Sequence, residues 1–203
     1  MNEAKKQTPL LADKWFASDL QFHQLYPASL HAQASMHWTP LYIARRAADF
    51  LAAEKKAKIL DIGSGAGKFC LAAAYYQPDM CFFGVEQRAE LVTYAEAARS
   101  ITGLQNASFI HDNITAIDFS KYDHFYFFNA FFENINDEYK IDERIEYSRE
   151  RYNTYNRYVY KQLDKKPAGT RLATFHSTEE EIPAGYHEVG STDDNLLKFW
   201  IKV

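Results

Sequence analysis

The segment 58–70, KILDIGSGAGKFC, constrains the fold of this chain more than any other part of the sequence. It begins with an apolar run and ends in a helix-competent stretch that continues to position 76. The glycines between them, Gly63, Gly65 and Gly67, let the backbone turn sharply and approach a ligand more closely than a residue with a Cβ atom allows. The segment therefore predicts a strand, a glycine turn and a helix that together bind a nucleotide-like ligand.

The spacing of the glycines disfavours two common ligands of such a unit. A P-loop would require glycine at position 62 and serine or threonine at position 69, where this chain has Ile62 and Phe69. The dinucleotide fingerprint would require its third glycine at position 68, which is Lys68. A magnesium triphosphate is therefore disfavoured, and an NAD-dependent oxidoreductase becomes a less favoured alternative.

The pattern Asp61-x-Gly63-x-Gly65-x-Gly67 resembles the first motif of class I S-adenosylmethionine (SAM) methyltransferases, in which an acid at the strand end precedes the glycines. SAM carries a sulfonium and an α-ammonium but no phosphate, so a carboxylate favours it where a pyrophosphate would be repelled. The resemblance implies SAM as the cofactor and a binding site that includes Asp61, Gly63, Ser64, Gly65 and Gly67. For Asp61 the structural alternative is a helix N-cap.

A second acid, Glu86, ends the next apolar run, 25 residues after Asp61. This separation is close to the roughly 20 residues expected for an acid that binds a ribose, and its carboxylate can accept hydrogen bonds from both ribose hydroxyls. We add Gln87, which follows it, to the cofactor-binding set. In the resembled family the loop after the third strand contacts the adenine, and the matching residues are Asp112 and Asn113. A turn-forming Asp-Asn pair is the alternative there.

Further apolar runs predict the rest of a sheet, with strands at 107–111, 123–128, 170–176, 185–191 and 195–202. Near-continuous apolar strands indicate burial on both faces of a parallel sheet. The connection between positions 111 and 123 is too short for a full crossover helix. We predict an α/β fold: a doubly wound, mostly parallel seven-stranded sheet, with helices on both faces and a C-terminal antiparallel hairpin around Asp193. This arrangement resembles the class I methyltransferase sheet.

Two units are expected along the chain: an N-terminal helical segment, 1–38, that covers the cleft, and a SAM-binding domain, 39–203. The apolar residues near the N-terminus are compatible with one short amphipathic helix. Thr39 and Pro40 predict an N-cap and first-turn proline for a helix whose buried face comprises Leu41, Ile43, Ala44, Ala47, Ala48 and Leu51. Helices are also expected at 90–99 and 141–165, and the tyrosine-rich stretch 135–160 is either a substrate lid or a covering helix.

The fourth strand leads into the acceptor side of the expected site. Open α/β sheets bind ligands at the carboxyl ends of their strands, so Asn129 is where a methyl acceptor should meet the cofactor. The stretch 127–133, FFNAFFE, resembles the Asn-rich aromatic motif of the non-SET, Rossmann-type histone-lysine methyltransferases. It resembles more loosely the Asn-Pro-Pro-Tyr motif of amino-directed DNA and protein-glutamine enzymes, whose prolines are replaced here by Ala130 and Phe131.

These resemblances imply a catalytic Asn129 whose carbonyl accepts a hydrogen bond from an amine flanked by aromatic rings. The substrate-binding candidates are Phe128, Phe131, Phe132 and Thr39, and Phe127 is expected to help bury the amine. Glu133, His37 and His111 are candidate bases, although a lone histidine is more often structural, and no metal site is predicted. We therefore predict a SAM-dependent methyltransferase that acts on an amino nitrogen, of a protein lysine or a small-molecule amine. A non-catalytic SAM- or nucleoside-binding protein that acts through a partner is the alternative.

Composition limits the partners. The net charge is −4 and the lysines and arginines are scattered, so no stable nucleic-acid binding is expected. Cys70 and Cys81 fall in regular elements and are expected to be reduced core residues. The polar N-terminus and the lack of a run of ~20 apolar residues predict a cytoplasmic location and no membrane contact.

Overall fold

A seven-stranded sheet organises the fold in the computed structural model, which describes residues 12–192 and 194–203. Its strands are β1 (Lys58–Ile62), β2 (Cys81–Glu86), β3 (Ala107–His111), β4 (His124–Phe128), β5 (Arg171–Phe175), β6 (Tyr186–Ser191) and β7 (Leu197–Lys202). Their order in the sheet is β3-β2-β1-β4-β5-β7-β6. The first five strands are parallel, and β7 is antiparallel to both β5 and β6. The predicted fold class is confirmed; Asp193, in the predicted hairpin turn, lies outside the described residues.

Helices cover both faces of this sheet. They are α1 (Asp19–His23), α2 (Ala28–His31), α3 (Ala34–His37), α4 (Leu41–Leu51), α5 (Lys68–Tyr76), α6 (Ala89–Thr102) and α7 (Arg149–Asp164). One apolar core joins α4, α5 and α6 to sheet residues such as Ile59 and Tyr126. The other core joins α7 to the alternate sheet residues, such as Leu60 and Phe125. Successive strand residues thus point into opposite cores, as the pleat requires.

The connections near β4 follow the prediction in part. Two 3₁₀ turns, Ile114–Ala116 and Phe119–Lys121, replace a crossover helix between β3 and β4, as the short connection predicted. The helix predicted over 141–165 begins later, at Arg149, because the Ser148 side chain caps it by accepting the Arg151 backbone N–H at 3.2 Å. The preceding residues form a loop with short 3₁₀ turns.

The N-terminal region differs from the single helix considered above. A 3₁₀ turn, Asp13–Phe16, and the short helices α1 to α3 replace it, and Leu20 is 78% exposed. Pro27 at the start of α2 separates it from α1, because proline has no N–H to donate and restricts the residue before it. Residues 1–11 of the expected 1–38 segment lie outside the described residues.

The entry to α4 also differs in detail. Pro40, not Thr39, occupies the N-cap position, and the Thr39 hydroxyl lies 3.0 Å from the Tyr126 hydroxyl instead of capping the helix. The Asp19 carboxylate of α1 accepts the Leu41 N–H at 3.1 Å and so takes over the capping role. The buried face of α4 is the predicted one: Leu41, Ile43, Ala44, Ala47, Ala48 and Leu51. Thus the helix was predictable, but its cap comes from a distant part of the chain.

Both cysteines are free; Cys70 is buried, as expected of a core residue, whereas Cys81 is half-buried. Among the described residues, no helix combines the length and apolar character needed to cross a bilayer.

Gly67 provides a test of this packing. Its φ is +83°, and a Cβ atom there would lie 2.5 Å from the Phe109 ring and 2.9 Å from the Ala95 Cβ. We expect Gly67→Ala to reduce the free energy of unfolding by about 2 kcal/mol or more, since overpacking adds to backbone strain. Gly103→Ala is the matched control, because Gly103 has φ +73° but open space around it, and strain alone should cost about 1 kcal/mol. Equal losses in urea denaturation would contradict the packing argument.

Candidate active site

A cavity of about 390 Å³ opens at the carboxyl ends of the parallel strands. Its volume lies within the range of small-molecule sites, and its position is the one where open α/β sheets bind ligands. Most of the site residues expected from the sequence line it: Thr39, Asp61, Gly63, Ser64, Gly65, Glu86, Gln87, Asp112, Asn113, Phe128, Asn129, Phe131 and Phe132. The fold therefore brings together side chains that are up to 93 positions apart, from Thr39 to Phe132.

Gly67 is not among the residues that line the cavity, in contrast to the expectation from the motif. It takes the left-handed conformation just before α5 and faces the Phe109 ring and Ala95. The first and second glycines of the motif, Gly63 and Gly65, border the cavity instead. The third glycine thus serves the close packing of α5 against β3 and α6.

The glycine turn presents its backbone to the cavity. Gly65 has φ +53°, and a Cβ atom there would meet no atom of the described residues within 4 Å. The Gly65 N–H donates to Glu86 Oε2 at 3.2 Å, and the Ser64 N–H donates to the Val85 carbonyl at 2.9 Å. The turn is therefore fixed to the end of β2, and its open side leaves room for a ligand to lie against the backbone.

Asp61, at the end of β1, is a buried acid with little compensation. Only 3% of it is exposed, and the Cys70 Sγ–H donates to its Oδ2 at 3.5 Å. Burial raises the pKa of Asp61 to about 8, and the nearby charge of Glu86 adds to this rise. A cation that entered the cavity beside Asp61 would favour its ionised form.

Glu86, at the end of β2, is buried but well paired. Its Oε1 accepts the Arg88 backbone N–H at 2.8 Å and lies 3.5 Å from Arg88 Nη1, while its Oε2 accepts the Gly65 N–H. Burial raises the pKa of Glu86, and the Arg88 charge opposes that rise. Each carboxylate oxygen retains acceptor capacity, so the hydrogen bonds expected from a ribose remain available to this side chain.

Arg88 connects this acid to the segment that follows β4. Its Nη2 donates to Glu133 Oε2 at 2.6 Å and to the Tyr147 hydroxyl at 2.9 Å. Its Nε lies 3.3 Å from an Asp142 carboxylate oxygen. This buried cluster was not anticipated from the sequence, because its members come from positions 86 to 147 and share no local motif.

The structure distinguishes the three candidate bases by their surroundings. Glu133 lines the cavity, and burial raises its pKa, although its ion pair with Arg88 opposes that rise and occupies its Oε2. His111 is not among the residues that line the cavity, and its Nε2 lies 3.1 Å from the Gln87 carbonyl. His37 does line it, and burial, with a smaller effect of Arg88, lowers the pKa of His37 to about 4, so its ring is neutral near pH 7.

The acceptor side of the cavity begins at Asn129, whose φ is +38°. Its backbone carbonyl accepts the Phe132 N–H at 3.2 Å. Its side-chain amide has no hydrogen-bond partner among the described residues. Phe132 meets Tyr139 edge to face, with ring centroids 4.9 Å apart. Phe127, which we expected to help bury an amine, lies instead in the core beneath the sheet, in contact with Phe131.

Sequence reasoning missed several residues that line the cavity, chiefly Lys68, Arg88, Tyr139 and His176. His176 follows β5 as Asn129 follows β4, and Phe128 pairs with Phe175 in the sheet, so the two polar residues are neighbours. Like Asn129, His176 has a positive φ, +55°. The signal that identified Asn129, a polar residue directly after an apolar strand, could also have identified His176.

Comparison with known proteins places the chain in a family. A family model described as a methyltransferase domain matches residues 53–191, about two thirds of the chain. The chain belongs to the class I, SAM-dependent methyltransferases. The methyltransferase fold also occurs in TrmN from Thermus thermophilus, with a TM-score of 0.60, 14% identity and coverage of 84% of this chain and 51% of that one.

Other similar proteins match over shorter stretches or at low identity. An RNA methyltransferase from Salinibacter ruber, solved with S-adenosyl-L-homocysteine (SAH), has a TM-score of 0.55 and 15% identity, covering 81% of this methyltransferase and 91% of that chain. The tRNA (guanine-N(7)-)-methyltransferase of Synechococcus sp. (strain JA-3-3Ab) is 53% identical over 55 residues, which are 27% of this chain and 23% of that protein. The corresponding protein of Microcystis aeruginosa is 42% identical over 55 residues, again 27% of this chain and 26% of that protein. The match thus spans about a quarter of the length of these curated relatives.

The residues of the cavity fit the cofactor of this methyltransferase class. SAM has a cationic amino-acid end and a ribose, and the cavity provides a buried acid at Asp61 and a paired acid at Glu86. The open side of Gly65 leaves space against the backbone turn. No phosphate-binding side chain is required, in agreement with a cofactor that lacks phosphate.

The raised pKa of Asp61 predicts a pH-dependent affinity for SAH. Below about pH 8 the carboxyl is largely protonated, and contact with the ligand's ammonium requires it to ionise. We expect the SAH affinity to rise by up to about tenfold per pH unit between about pH 6 and about pH 8, because one proton is released on binding. Isothermal titration calorimetry across this range measures the effect.

Two variants control for other titrating groups. Asp61→Asn should bind SAH weakly with little pH dependence. Glu86→Gln should shift the rise in affinity to lower pH, because the Glu86 charge contributes to the raised pKa of Asp61. A pH dependence that Asp61→Asn leaves unchanged would show that another group is responsible.

Proposed function

We propose that this protein transfers the methyl group of SAM to a nitrogen atom, with a protein lysine or small-molecule amine as the favoured acceptor. The observation that supports this most directly is Asn129, which directly follows β4 in a strained left-handed conformation and whose side-chain amide has no hydrogen-bond partner among the described residues. Strained residues of this kind cluster at functional sites, where the surrounding structure holds them. Its position gives a nitrogen acceptor a hydrogen-bond partner beside the cofactor-binding half of the cavity.

The chemistry proposed for these residues is alignment and exclusion of water. When bound, SAM supplies an electrophilic methyl group for in-line displacement by a neutral nitrogen. Asp61 and Glu86 hold the cofactor, and the side-chain carbonyl of Asn129 orients the acceptor. The rings of Phe128, Phe132 and neighbouring aromatic residues desolvate an amine and so favour its neutral, nucleophilic form. No covalent intermediate is required.

A guanine nitrogen of RNA is the second candidate acceptor. The curated relatives named tRNA (guanine-N(7)-)-methyltransferases favour it, over the part of their length that matches. A guanine N7 carries no proton, so that reaction would not require the desolvation of an amine. The net charge of −4 and the scattered lysines and arginines disfavour stable nucleic-acid binding, since phosphate contacts depend on clustered basic residues.

One labelling experiment separates the two acceptor classes. Purified enzyme is incubated with methyl-labelled SAM and either total tRNA or a protein extract treated with RNase, and the label is counted in each fraction. Label on protein, located by mass spectrometry, supports the amine acceptor. Label on tRNA as 7-methylguanosine supports the second candidate, and it would refute the preference for an amine.

The organisation of the chain is part of the proposal. We propose that residues 1–38 act as a cover over the cleft of the domain formed by residues 39–203. In support, residues 34–38 line the cavity, and the Tyr26 hydroxyl donates to the Ala66 carbonyl of the glycine turn at 2.8 Å.

Asn129 provides the mutational test. Asn129→Gly removes the amide and relieves the backbone strain, so the fold and SAH binding should be retained. Turnover on the acceptor that the labelling experiment identifies should fall about 100-fold or more, because an orienting contact made in the transition state is lost. Asn129→Ala separates strain from chemistry, since it lacks the amide and keeps the strain. Wild-type turnover in Asn129→Gly would remove Asn129 from the proposed mechanism.

A further inference from the structure

Lys68 is a buried lysine that faces the cavity. It is the first residue of α5, only 4% of it is exposed, and it lines the cavity directly after the glycine turn. Its ammonium donates to the Asp19 carboxylate and lies 3.3 Å from His23 Nε2. Neither of these partners is among the cavity-lining residues that the structure describes. One of the three ammonium donors is therefore left without an acceptor in the described part of the chain.

Charge complementarity gives this lysine a specific use. The amino-acid end of SAM carries an α-ammonium and an α-carboxylate, and the acids of the cavity suit only the ammonium. Of the described cavity-lining residues, Lys68 and Arg88 have side chains that are cationic at neutral pH. Arg88 lies against three carboxylates, those of Glu86, Glu133 and Asp142, although its Nε has no hydrogen-bond partner among the described residues. Lys68 is paired with a single carboxylate, that of Asp19, so its surroundings are less acidic than those of Arg88 and favour a further anion more.

The position of Lys68 relative to Asp61 agrees with this role. Both residues flank the glycine turn, and Asp61 accepts a hydrogen bond from Cys70, two residues beyond Lys68 in the first turn of α5. The first backbone N–H groups of this helix have no intrahelical acceptor, and no side chain in the described part of the chain caps them. An anion near Lys68 would thus also meet the positive end of the helix dipole.

We propose that Lys68 is a cofactor-binding residue that recognises the α-carboxylate of the methionine part of SAM, while Asp61 receives the α-ammonium. This inference rests on the proposed SAM site and adds the residue that selects a cofactor with an intact amino acid over a truncated nucleoside. The competing structural role of Lys68 is to fasten the N-terminal region to α5, through Asp19 and His23 and through the rings of Phe22 and Trp38, over which its ammonium lies.

Ligand truncation in the wild type tests the proposal without any mutation. SAH, decarboxylated SAH and 5′-methylthioadenosine are titrated by calorimetry; the second lacks only the carboxylate and the third lacks the whole amino-acid end. We expect SAH to bind at least about tenfold more tightly than decarboxylated SAH, because only SAH has the carboxylate that accepts a charge-assisted hydrogen bond from Lys68. Equal affinities would overturn the role of Lys68. Failure of SAH itself to bind would instead contradict the proposed function.

Variants then assign the effect to the side chain. In Lys68→Gln the affinity for SAH should fall about tenfold, while that for 5′-methylthioadenosine should change by less than about twofold. Lys68→Arg should retain the preference for SAH over the decarboxylated ligand. The matched control is Lys58→Gln, an exposed lysine at the opposite end of β1, which should bind all three ligands like the wild type.

Asp19→Asn distinguishes recognition from a structural role. If Lys68 only fastens α1 to α5, then Asp19→Asn and Lys68→Gln should each lower the affinity for all three ligands to a similar extent. If Lys68 binds the carboxylate, Asp19→Asn should keep the preference for SAH, because the ammonium loses a competing anion. Thermal unfolding of each variant confirms that the fold is retained. A loss in Lys68→Gln that is equal for SAH and 5′-methylthioadenosine would overturn the proposal.

Discussion

The rest of the site depends on the hydrogen bonds and the ion pair that the Glu86 carboxylate makes. One of its oxygens holds the glycine turn through the Gly65 N–H, and the other holds Arg88. Arg88 in turn holds Glu133 and Tyr147, which belong to the segment after β4. A buried ion cluster is stable only when its members stay paired, since loss of one partner leaves an uncompensated charge. The cofactor turn and the acceptor-side segment are therefore joined through one acid.

The acids at the ends of neighbouring strands have different environments. Asp61 and Glu86 are both buried, but Glu86 has Arg88 and backbone donors, whereas Asp61 has a thiol as its hydrogen-bonding partner. Burial raises the pKa of Asp61 to about 8, and in the proposed binding mode the cationic end of the methyl donor supplies the charge that would favour its ionised form. The site is thus built to be completed electrostatically by its ligand, a common property of functional carboxylates.

The parts of the fold that could be predicted from sequence are those set by local patterns. The glycine turn, the strands around it and the buried face of α4 follow from spacing and periodicity within about ten residues. The Asp19 cap of α4, the Arg88 cluster and the packing role of Gly67 could not be predicted, because each depends on residues from distant parts of the chain. The start of α7 combines both kinds of contact: the Ser148 cap is local, whereas the loop before it is held by the contacts of Asp142 and Tyr147 with Arg88.

This difference also explains why the cofactor is easier to recognise than the acceptor. The cofactor half of the cavity is one continuous unit from β1 to β2, so its residues keep a fixed spacing that a sequence motif can record. The acceptor half combines Asn129 and His176, the residues after β4 and β5, with aromatic rings from the loop between β4 and α7. Both residues have positive φ values, a strain that single-residue patterns do not reveal. In the proposed function, acceptor recognition therefore depends on residues that long-range packing brings together, and not on one continuous sequence motif.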